Sequence, residues 1–97
     1  MRILIAYSIP ETFIATLKAM GHTVVVNPNL ISTTLKLGVK DSNPDIVVVH
    51  NTRFKQEAIV AGPRIKLIVR AGAGIDTIEA EMCNERGIFI ADCPDLY

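Results

Sequence analysis

The sequence predicts an α/β domain, a parallel sheet sandwiched between helices, and three observations carry that expectation. Short apolar runs alternate with stretches of helical period, which is the pattern of successive βα units. The runs are continuously apolar and do not alternate with polar residues, so the strands are expected to be covered by helices on both faces. With 97 residues the chain is long enough for one domain with one core, burying roughly 60 to 65% of the surface that the unfolded chain exposes.

The elements follow in order. "ILIAY" at Ile3 to Tyr7 is the first strand. Ser8 and Glu11 make an S-x-x-E capping box for the first helix, with Pro10 in its first turn, Phe13, Ile14 and Leu17 on one face, and Gly21 closing it. "TVVV" at Thr23 to Val26 is the second strand. The second helix runs from Leu30 to about Val39, with Thr33 and Thr34 lowering its propensity and Gly38 interrupting it. "IVVVH" at Ile46 to His50 is the third strand, and a short helix around Lys55 to Val60 is stopped by Gly62-Pro63. "KLIV" at Lys66 to Val69 is the fourth strand. The fourth helix runs to Arg86 with Ile78, Met82 and Cys83 on its buried face and Gly87 as a left-handed cap, and "IFIA" at Ile88 to Ala91 is the fifth strand. Right-handed crossovers joining five parallel strands predict a flavodoxin-like three-layer sandwich of strand order 2-1-3-4-5, a single domain over residues 1–97.

Composition excludes several functions. Ten Lys and Arg balance ten Asp and Glu, so no positive field gathers nucleic acid. Cys83 and Cys93 form no C-x-x-C and have no clustered histidines, which indicates neither a disulfide framework nor a metal site and suits a reducing cytoplasm. The amino-terminal apolar run is interrupted by Pro10 and Glu11, too early for a signal segment or membrane span. A phospho-acceptor regulator would need a carboxylate at the carboxyl end of the third strand, but Asp45 stands at its start and His50 at its end, and no lysine follows the fifth strand. A flavin binder would need a Gly/Ser/Thr-rich loop after the first strand, and "YSIPETF" has no glycine.

The remaining motif is "LIVRAGAGIDTIEAEM". A dinucleotide fingerprint requires G-x-G-x-x-G after the first strand of its unit, whereas Gly72-Ala73-Gly74-Ile75-Asp76-Thr77 lacks the third glycine and follows the fourth strand. Two readings stay open: the glycines permit a tight turn that lets the fourth helix approach the sheet, or the amides of Ala73 and Gly74 point at a bound anion. His50 is equally a solvated strand-end residue or a ligand contact, and Arg53 a surface charge or an anion clamp. Arg70 faces the site or pairs with Asp76, Asp92 or another carboxylate. Cys83 reads as helix-face packing.

The run "VRAGAGIDTIEAEMCNERGIFIADCPD" resembles a segment of the D-isomer-specific 2-hydroxyacid dehydrogenases, with the phosphoglycerate dehydrogenase branch nearest, and "DIVVVHNTRFKQEAI" resembles that family's third-strand segment. The resemblance implies that the chain is the family's flavodoxin-like substrate-binding lobe. It would end near a hinge at Asp92-Cys93-Pro94, with Cys93 a small hinge-side residue, beyond which a Rossmann lobe would carry the NAD fingerprint and the catalytic Arg, Glu and His. On that basis this chain holds no catalytic residue and no cofactor of its own, and the complete enzyme, an NAD-dependent oxidoreductase, would interconvert a D-2-hydroxy acid and its 2-keto acid. Its partners would be that small anionic acid and the Rossmann lobe. The resemblance assigns the substrate carboxylate to the amides of Ala73 and Gly74 and the distal pocket to His50, Asn51, Thr52 and Arg53, because a desolvated carboxylate must recover its hydrogen bonds. His50-Asn51 stands where the branch tends to have Arg-Ser, Asp92 where Asn is usual, and "PDLY" where "PxGN" is frequent; the particular acid is therefore left open. A weak homodimer is expected through an apolar hinge-side patch of Ile9, Pro94, Leu96 and Tyr97. The alternative is a stand-alone sensing or interaction module that has lost catalysis.

Overall fold

The structure, a computed structural model, describes residues 1–6, 10–30, 34–50, 56–71 and 80–93. Nine elements alternate along it: β1 (Arg2–Ile5), α1 (Glu11–Ala19), β2 (Thr23–Val26), α2 (Leu35–Ser42), β3 (Ile46–Val49), α3 (Gln56–Ala61), β4 (Leu67–Ala71), α4 (Ala80–Glu85) and β5 (Phe89–Cys93). The strands form one sheet of order β2-β1-β3-β4-β5 in which every pairing is parallel. Ile3 lies between Val24 and Ile46, and Val47, Ile68 and Ile90 form a row on the other half of the sheet. The predicted order and the strand content hold. The last two strands start one residue later than their apolar runs and continue two residues further, to Ala71 and Cys93.

The core lies on one side of the sheet. Leu4, Val47, Val49 and Ile68 face Leu35 and Val39 of α2, Ala58 and Ile59 of α3, and Cys83 of α4, all fully or almost fully buried. At about 25 cal/mol per Å² of apolar surface removed from water, this layer is the main source of stability. Cys83 is buried, as helix-face packing requires.

Helices lie on both sides, but unequally. Ile3 and Ile5, which point away from that core by strand alternation, are also buried. A right-handed β1-α1-β2 crossover puts α1 on this side, where it packs against β2. Further along the same face no described helix follows. Ile46, Val48, Leu67 and Val69 are only half-buried, and Phe89 is 76% exposed. Among the described residues, the expectation of full cover on both faces therefore holds for β1 and is not met for β3 to β5 on the α1 side.

Three helix readings need correction. Pro10, with φ −59° and ψ 141°, is the N-cap of α1 and offers no side-chain acceptor; Ser8, on which the capping box depended, lies outside the described residues. Ile14 and Leu17 are half-buried, whereas Phe13 is exposed. Gly38 does not interrupt α2 but lies inside it, because a Cβ there would come within 2.6 Å of Leu30 Cδ1. Leu30 is thus no part of that helix; it packs onto it. The end of α2 is set by Asn43 in the left-handed region (φ 45°) followed by Pro44, which disfavours helical continuation. Gly21 and Gly87 take positive φ as expected, at 91° and 71°. Ile78 lies outside the described residues.

Candidate functional site

A parallel sheet collects the carboxyl ends of all its strands on one edge, and in open α/β sheets that edge is where ligands sit. Here β1, β3, β4 and β5 are consecutive in the sheet. Val49, Arg70 and Asp92 share one row, and Ala71 and Cys93 the next, beside which His50 leaves β3. Neighbouring strands are ~4.8 Å apart, so the segments that follow His50 and Ala71 depart from adjacent points of this edge. Those segments contain the remaining predicted substrate-binding positions. His50 itself is half-buried, in the bend after Val49. Asn51, Thr52, Arg53, Ala73 and Gly74 lie outside the described residues, as do Ile9, Pro94, Leu96 and Tyr97 of the expected apolar patch.

Arg70 is left open by the sequence between facing the site and pairing with Asp76, Asp92 or another carboxylate. It is the penultimate residue of β4, not the residue after the strand, and only 7% exposed. Alternation puts it on the side of Ile68, next to Val49 and Asp92 in register, and it is engaged by an interaction within the protein. A guanidinium at that depth needs such engagement, because burying an unpartnered charge costs several kcal/mol.

The opposite, amino edge is closed by Asp45, which sequence reading used only to exclude a phospho-acceptor. Its Oδ2 accepts the backbone N–H of Arg2 at 2.9 Å, while its own N–H donates to Arg2 O at 2.8 Å and its carbonyl accepts from Lys66 N–H at 2.8 Å. Arg64 Nε stands 3.6 Å from Oδ1. One residue thus ties β1, β3 and β4 together at their starts. The Arg2 N–H holds the Asp45 carboxyl below its ordinary range; burial opposes this, and Arg64, Lys66 and the amino terminus reinforce it. The legible signal was an acidic residue placed directly between Pro44 and an apolar strand.

Among the described residues no group of three or more His, Cys, Asp or Glu side chains could hold a metal ion, and no helix is long and apolar enough to cross a membrane.

This sheet and its ligand edge define the flavodoxin-like class of α/β domains. Residues 3–97 match the family described as "D-isomer specific 2-hydroxyacid dehydrogenase, catalytic domain", and the chain belongs to that family. It is 32% identical to the D-3-phosphoglycerate dehydrogenase of Methanocaldococcus jannaschii over 96 residues, which is 98% of this chain and 18% of that protein. Among solved structures, the NAD+-bound 3-phosphoglycerate dehydrogenase of Entamoeba histolytica superposes with a TM-score of 0.79 at 31% identity, covering 95% of this chain and 32% of the other. The PH0520 protein of Pyrococcus horikoshii shares the fold with a TM-score of 0.84 at 24% identity, over 98% of this chain and 28% of its own. The chain thus spans about a fifth to a third of the relatives it matches.

Proposed function

We propose that this chain is the substrate-binding lobe of an NAD-dependent D-2-hydroxyacid dehydrogenase of the phosphoglycerate dehydrogenase type, and that the complete enzyme, in a reducing cytoplasm, oxidises a D-2-hydroxy acid to its 2-keto acid. Residues 1–97 form one domain up to the hinge of a Rossmann lobe, which contributes the NAD site and the groups that move hydride and proton. The observation that carries the reading is the family match across nearly the whole chain. The adjacency of β3 and β4 supports it, because it starts the His50 segment and the Ala73-Gly74 segment side by side on the ligand edge.

The chemistry asked of this lobe is recognition. The amides of Ala73 and Gly74 receive the carboxylate without loss of side-chain entropy, and His50, Asn51, Thr52 and Arg53 select what lies beyond it. Half a cleft offers few contacts, so the affinity of this lobe alone is weak, in the millimolar range. Amide chemical-shift mapping with D-3-phosphoglycerate tests the assignment. Shifts are expected at His50 to Arg53 and Ala73 to Asp76, with NADH leaving the spectrum unchanged. Shifts concentrated at the amino edge around Asp45, or none up to tens of millimolar, would overturn it.

A further inference from the structure

The outer surface of the helical layer is segregated by charge about an apolar strip. A groove of about 680 Å³ between α2 and α3 is floored by Leu37, Val60 and Ala61, and Leu37 and Val60 are 55% and 51% exposed. Lys36 and Lys40 form its α2 bank and Glu57 stands on the α3 side. The acidic side continues onto α4, where Glu81 and Glu85 line a neighbouring recess together with Gln56 of α3. All five charged residues are exposed, and the one described ion pair, Arg64–Asp45, involves none of them.

The spacing adds a second observation. Lys36 and Lys40 are four apart on one helix, and Glu81 and Glu85 are four apart on another. Like charges at that spacing repel and weaken their own helix. The chain has no net charge, so this is separation of charge and not excess. Each unfavourable pair is opposed in sign by the other across the apolar strip.

We propose that this α2–α3–α4 face is a self-association surface that takes a second copy of the chain about a two-fold axis through the Leu37–Val60 strip. A two-fold contact must be self-complementary. A basic bank and an acidic bank on either side of an apolar centre satisfy that: each copy sets its Lys36/Lys40 bank against the partner's acidic bank, and the two strips cover one another. The contact is small and its charges lie at the rim, so association is weak, salt-sensitive and steered by charge. It differs from the hinge-side contact expected around Leu96 and Tyr97. It also leaves the carboxyl edge of the sheet open, so it stands whether or not that edge binds a hydroxy acid.

Sedimentation of the 97-residue chain between about 10 μM and 1 mM, at low and high salt, reads the association. A reversible dimer is expected at low salt, weakened at least tenfold at high salt. Lys36→Glu/Lys40→Glu and Glu81→Lys/Glu85→Lys are each expected to be monomeric over that range, with unchanged circular dichroism because all four positions are exposed. Mixed one to one, the two variants should associate again, since each reversed bank then meets a bank of opposite sign, with Glu57 alone left unreversed. A chain monomeric throughout, a dimer that survives both reversals, or reversed variants that fail to recover on mixing would each overturn the proposal. Loss of the dimer in Phe89→Asp with both reversals silent would move the contact to the open sheet face.

Discussion

Asp45→Ala removes the group that fastens the amino edge of the sheet. The carboxylate is buried, at 6% exposure, and accepts the Arg2 amide at 2.9 Å. A charge-assisted hydrogen bond contributes about 1.5–3 kcal/mol, and stranding its buried donor carries the desolvation cost of that donor as well. Arg64 adds little, because its side chain is 61% exposed and its Nε is 3.6 Å away; solvent-screened pairs of that kind are worth about 0–1 kcal/mol. The expected loss for Asp45→Ala is therefore about 2–3 kcal/mol, or roughly 10–20 °C in Tm for a domain of this size. For Arg64→Ala it is under about 0.5 kcal/mol. Asp45→Asn keeps an acceptor for Arg2 but loses the charge, and should fall between, at about 1 kcal/mol. The pH dependence has a definite sign. The folded carboxyl is held below the ordinary value of 3.8, so its contribution is full above that value and disappears as pH falls through the lower folded one. Urea unfolding of wild type and Asp45→Ala should differ most at pH 7, and the gap should narrow at strongly acid pH to what a neutral acceptor for the Arg2 amide contributes. Equal costs for Arg64→Ala and Asp45→Ala, or a gap that does not narrow at acid pH, would refute the assignment of the stabilisation to the Arg2 amide.

Two further substitutions probe the packing. Gly38→Ala gains about 1 kcal/mol of helix propensity but drives a Cβ against Leu30, and overpacking typically costs 1–3 kcal/mol. A net loss of about 1 kcal/mol is expected, turning into a gain when Leu30 is also Ala, as a thermal-melt double-mutant cycle would show. Ile68→Ala on the covered face should cost about 2–5 kcal/mol, whereas Phe89→Ser on the open face should cost under about 0.5 kcal/mol by chemical denaturation.

The strands were legible because a strand buried in a parallel sheet has little choice of composition. Thr23 to Val26 was bounded to the residue, and the order followed from right-handed crossovers placed on both faces of the sheet. The extent of α2 was not legible, because Gly38 reads as a breaker until Leu30 is seen lying across it. Nor was the unequal cover of the two faces: "IFIA" looks equally apolar whether Phe89 meets a helix or water, and only the tertiary arrangement tells these apart. Of the candidate site, the sequence placed His50 at the end of β3 and put both proposed substrate segments after neighbouring strands. It left Arg70 open between the site and a carboxylate partner, because its burial depends on which way the row of β4 faces, a property set by register and invisible in the motif itself.

The strand order also dictates when the sheet can assemble. β1 occupies an interior position although it precedes the other four strands, and its partner on one side, β3, ends only at Val49. The β1-α1-β2 unit can form early, but its other edge stays unpaired until β3 is available, which is the long-range closure that slows parallel folds. After that single reversal, growth runs in one direction, with β4 and then β5 added at the same side in the order of synthesis. Asp45 precedes β3 directly and meets Arg2 across 43 residues, so the latch on the first strand arrives together with the strand that completes its pairing.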